Sequence, residues 1–105
     1  MTLREKQSYF AKLLGVLVCY IETQGWELTF GDFWRGDKQG HKPNSLHYER
    51  LAADLNLFVN DEWKQGDCPE WQKIGRVWKS FDDLCAWGGD FADYNHFSIT
   101  DHGRQ

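Results

Sequence analysis

Nothing in this chain provides a covalent staple. Its three cysteines, Cys19, Cys68 and Cys85, are odd in number, widely spaced and without a C-x-x-C pair, which fits neither a disulfide framework nor a cysteine zinc site. A reducing compartment is the expected place of synthesis. Basic charge is in deficit, with 12 Lys plus Arg against 16 Asp plus Glu, and forms no block, so nucleic acid is not an expected partner. Long apolar runs are missing too. The richest stretch, LLGVLVCYI at 13–21, is short, is flanked by Glu5, Lys12 and Glu22, and lacks a small-residue cleavage site, so neither a signal peptide nor membrane insertion is expected. There is no internal repeat, low-complexity segment or linker, and 105 residues suit one domain over 1–105.

What the chain has in excess is aromatic mass: six Trp, seven Phe and four Tyr, 16% of the residues, too many apolar anchors for a disordered chain. Phe10, Leu13, Leu14, Leu17, Val18 and Ile21 fall on one face of a helix over 3–24. Thr2 with Glu5 forms a capping box at its start, and Gly25 is a left-handed stop at its end. Trp26–Phe30 alternates as a strand, Gly31–Asn44 reads as an exposed loop, and the apolar run Leu51–Phe58 reads as a buried strand or a short helix running into one. Residues 59–68 read as loop. Pro69 opens a second amphipathic helix to about Asp83, carried by Trp71, Ile74, Val77, Trp78 and Phe81. The tail WGGDFADYNHFSIT joins a glycine turn to a short aromatic strand. The order predicts an α+β fold, a small antiparallel sheet packed against the N-terminal helix and the second helix.

Charged and imidazole groups in apolar segments need partners. His47 with Asp54, and Asp93 with His96, are candidates for a shared metal; the bland alternative is a core histidine and a carboxylate bonded to backbone. Two nitrogens and one oxygen favour zinc over calcium or magnesium.

Ser45-Leu46-His47 through Phe58, together with Trp87-Gly88-Gly89-Asp90-Phe91 and Asp93-Tyr94-Asn95-His96-Phe97, resembles the zinc D-alanyl-D-alanine carboxypeptidase / L-alanyl-D-glutamate endopeptidase family, and most of all its small bacteriophage endolysin-type members. The family pattern Ser-x-His-x-x-Gly-x-Ala-x-Asp falls on Ser45, His47, Ala52 and Asp54, and Asp-or-Glu-x-x-His falls on Asp93 and His96. Arg50 stands where that pattern has glycine.

The resemblance implies a Hedgehog/DD-peptidase-like fold, zinc bound by His47, Asp54 and His96, and Asp93 as acid/base. It also implies Arg35 as the group that binds a substrate carboxylate or the oxyanion. Gln39 and Trp87 are weaker candidates for substrate contact; Ser45 belongs with them, holding the His47 loop. The implied activity is hydrolysis of an L-alanyl-D-glutamate bond in the peptidoglycan stem peptide, in a phage lysis setting. Such a protein would be a monomer, made in the cytoplasm of the infected host and released to the wall. The alternatives are a D-alanyl-D-alanine carboxypeptidase or dipeptidase and, from another class, a zinc-stabilised virion or wall-binding module without turnover.

Overall fold

The computed structural model describes residues 1–31 and 50–101. Among the described residues two helices and five strands form the predicted α+β fold, with the N-terminal helix on the sheet. Helix α1 runs Leu3–Thr23, capped as the sequence implies: the Thr2 side chain accepts from the Glu5 N–H, and the Glu5 carboxylate accepts from the Thr2 N–H. Gly25, at φ +81°, turns the chain out of the helix. Strand β1 is Glu27–Phe30 and β2 is Ala52–Val59, so the apolar run after Leu51 is strand rather than helix.

Residues 59–68 hold more than a loop. Asn60 and Asp61 both take positive φ, a two-residue reversal that pairs Val59 with Glu62 and starts β3, Glu62–Lys64. The signal missed was Asn-Asp, which tolerates the left-handed region without glycine. Helix α2 spans Pro69–Phe81, two residues shorter than expected. Asp82 leaves helical geometry at φ −166° because its carboxylate accepts from the Tyr9 hydroxyl and the Leu84 N–H. The tail holds two strands rather than one. These are β4, Cys85–Trp87, and β5, His96–Ile99, linked by a 3-10 turn at Gly88–Phe91.

All pairings are antiparallel, in the order β1-β2-β5-β4, with β3 beside the far end of β2. Period two along β2 divides the sheet into two faces. Ala53, Leu55 and Leu57 point with Phe97 and Trp87 toward a core that Leu14, Leu17 and Ile21 of α1 and Trp71, Ile74 and Trp78 of α2 complete. Phe10 and Phe97 each meet the Trp78 ring edge-on. Asp54, Asn56 and Phe58 project from the other face. Among the described residues both helices therefore pack on the face opposite Asp54, Asn56 and Phe58. Among the described residues no helix is long and apolar enough to cross a membrane.

Candidate metal centre

Asp54 and His96 are register partners on β2 and β5, so their side chains leave the sheet on the same face side by side. The imidazole Nδ1 lies 3.3 Å from the Asp54 Oδ1, with side chains 13% and 21% exposed, open enough to be reached from solvent. Residues 42 apart in sequence are thus brought into contact by strand pairing alone.

The turn leading into β5 carries Asp93. Its N–H donates to the Gly88 carbonyl at 2.8 Å, and its own carbonyl accepts from the His96 N–H at 3.2 Å. This backbone pair closes a tight loop that delivers His96 to the strand. Gly88 lies beneath it: a Cβ there would stand 2.3 Å from the Asp93 carbonyl oxygen, 2.7 Å from the His96 Cβ and 3.1 Å from the Asp93 Cβ. Only glycine lets Asp93 and His96 close over one point. Sequence reasoning did not single out Gly88 for this, although the Gly88-Gly89 pair was the available signal. Asp93 itself is exposed at the surface.

On the other side of Asp54, β1 ends at Gly31, whose N–H donates to the Asp54 carbonyl at 2.8 Å. The chain re-enters at Arg50, four residues before Asp54. Arg35, Gln39, Ser45 and His47 fall in the stretch between, outside the described residues. Arg50, which stands where the family pattern has glycine, adopts φ +60°, a left-handed conformation that glycine takes more readily than arginine.

Trp87 is not a cleft wall. It is 3% exposed, faces the helices, and donates its Nε1–H to the Tyr94 carbonyl at 2.8 Å. Its ring lies so close over Gly75 and Gly89 that a Cβ at either would come within 2.3 Å of it. Alternation explains the difference: Trp87 pairs with Phe97, not with His96, and so points into the core. Phe97, another aromatic beside the motifs, is fully buried.

Among the described residues no group of three or more His, Cys, Asp or Glu is arranged to hold a metal; Asp54 and His96 contribute two donors. An imidazole nitrogen beside a carboxylate oxygen is a zinc-type donor set, and unlike an all-oxygen shell it does not suit calcium or magnesium. The residues present therefore fit zinc as two of its ligands. The free cysteines take no part: Cys85 is buried in the core, where desolvation pushes its thiol up to about 12, and Cys68 caps α2 through its sulfur.

Asp54 and His96 thus form a half-buried imidazole–carboxylate pair on one sheet face, with a second carboxylate, Asp93, in the adjoining turn. A family model described as D-alanyl-D-alanine carboxypeptidase matches residues 38–99, more than half of the chain, and the chain belongs to this family. No curated protein matches it.

Proposed function

We propose that the protein is a zinc-dependent peptidase of the peptidoglycan stem peptide, cutting the L-alanyl-D-glutamate bond, with His47, Asp54 and His96 as metal ligands. The observation that carries the reading is the Asp54–His96 contact across β2 and β5, inside the region the family model matches and next to the Asp93 turn. Zinc held there would supply a Lewis acid able to lower the pKa of water to roughly 7.

The remaining work falls to this chain's own groups. Asp93 takes a proton from the attacking water and passes it to the leaving amine, a task for a carboxylate that is not itself a ligand. Arg35 neutralises a substrate carboxylate or the charge developing on the carbonyl oxygen, with Gln39 and Ser45 on the substrate side. Synthesis in the cytoplasm of an infected host and release to the wall at lysis belong to the same proposal.

The description of the matching family favours a second reading, release of terminal D-alanine. Incubation of the protein with peptidoglycan, in zinc and in chelator, followed by mass spectrometry of new termini separates the two. A new D-glutamate amine is expected, whereas free D-alanine would move the assignment to a carboxypeptidase. Cleavage undiminished in chelator, or by Asp93→Ala at the parent rate, would overturn the mechanism.

A further inference from the structure

The open sheet face does not end at Asp54. Two steps further along β2 the same face carries Phe58, flanked across the sheet by Glu27 of β1 and Trp63 of β3, its register partners. Phe58 and Trp63 stack with 24° between their planes and centroids 6.3 Å apart, and Trp63 is 51% exposed. An indole left half in water on an edge strand, held flat by a neighbouring ring, is a preformed aromatic platform. Glu27, exposed in the same row, adds a hydrogen-bond acceptor beside it. Between platform and metal pair runs a polar rung, in which the Asn56 amide donates to the Thr29 hydroxyl at 3.2 Å.

Phe58 lies four strand steps from Asp54, about 13 Å. We infer that Trp63, Phe58 and Glu27 form a subsite for the glycan of peptidoglycan, an inference that rests on the proposed substrate class. A pyranose offers an apolar C–H face to an aromatic ring and hydroxyls to a carboxylate. Reach agrees with the bond assigned above. From an L-alanyl-D-glutamate carbonyl, alanine and the lactyl ether lead back to the muramic acid ring in two residue lengths, about 7 Å, and the next sugar continues over the platform. From a D-alanyl-D-alanine carbonyl the same ring lies up to about five residue lengths, roughly 17 Å, away, so it meets the platform only when the stem peptide is held short of full extension. The platform therefore specifies substrate that still carries its glycan.

The test uses the full chain and two probes. Peptide-free N-acetylglucosaminyl–N-acetylmuramic acid fragments, titrated by protein NMR, are expected to shift Trp63 and Phe58 resonances. Binding should weaken at least tenfold in Trp63→Ala and recover in Trp63→Tyr. In hydrolysis, the preference in kcat/KM for a disaccharide-linked stem peptide over the same peptide without sugar should fall about tenfold in Trp63→Ala, mainly through KM. Absence of glycan binding by the parent, or an unchanged substrate preference in a folded Trp63→Ala, overturns the subsite. So does perturbation of Trp63 by protein concentration alone, which would make the face a contact between copies. If the parent binds glycan through Trp63 yet cleaves neither substrate, the peptidase reading fails while the subsite stands.

Discussion

Gly88 concentrates the local demands of the site into one missing methyl group. The backbone carbonyl of Asp93, 2.3 Å from where a Cβ would be, cannot swing aside as a flexible side chain could. Gly88→Ala is therefore expected to displace the Asp93–His96 turn, costing about 2 kcal/mol in urea unfolding and on the order of 100-fold in peptidoglycan hydrolysis. Full activity in a folded Gly88→Ala would show that the turn does not position the reaction. Ser98 makes the opposite case. Its hydroxyl is buried on β5 without a hydrogen-bond partner among the described residues, so Ser98→Ala should raise stability by about 1 kcal/mol by removing an unmet polar group, as chemical denaturation would record. Cys85, with its thiol held near 12 by burial, should resist thiol reagents until the protein unfolds, while the exposed Cys19 reacts at once. Peptide mapping after brief labelling reads both.

At the scale of elements, α1 is fastened to the rest of the fold by polar ties as well as by its apolar face. The Tyr9 hydroxyl donates to Asp82 at the end of α2, and the Lys6 ammonium donates to the buried Asp101 beyond β5. The Tyr9 bond, with the Leu84 N–H, holds the Asp82 carboxyl below its ordinary 3.8 and holds the Tyr9 phenol above its ordinary 10.0. A lowered carboxyl stabilises the fold above its unfolded pKa and loses that effect as pH falls through the folded value. A raised phenol stabilises below its unfolded pKa and loses the effect as pH rises. Asp82→Asn should thus lower the melting temperature at neutral pH, with the gap to the parent closing in acid below about pH 4. A gap that persists undiminished at pH 2 would refute the linkage.

Legibility also varied by element. Helix α1, its capping box and the Gly25 stop could be read because each depends on neighbours within a turn or two. The β3 hairpin was not legible, since its two-residue Asn60-Asp61 reversal lacks the usual glycine. Trp87 was misjudged for a different reason. Proximity in sequence to Asp93 and His96 says nothing about which face of a strand it occupies, and pairing with Phe97 turns it inward.

For the whole molecule, the arrangement of the described residues puts both helices and the buried aromatics Phe10, Trp71, Trp78, Trp87 and Phe97 on one face of the sheet and the titratable pair on the other. A metal gathered by side chains on that face would cross-link β2 to β5, where Asp54 and His96 already stand in contact. Zinc is expected to raise the melting temperature by several degrees, and Asp54→Ala to abolish that rise, since ligand binding to the native state adds to stability by mass action. Calorimetry with and without chelator measures it; an equal zinc effect in Asp54→Ala would remove Asp54 from the ligand set.

The sequence by itself determined the elements held by local forces and, through its motifs, the peptidase family, because caps, periodicity and motif spacing are properties of near neighbours. Only the tertiary structure decided which of those residues meet. Strand pairing over 42 residues sets Asp54 against His96, and the two-residue alternation of the same strands sends Trp87 into the core and lines Phe58 and Trp63 along the open face. Register fixes the face, and a shift of one residue would have exchanged core for site at every position.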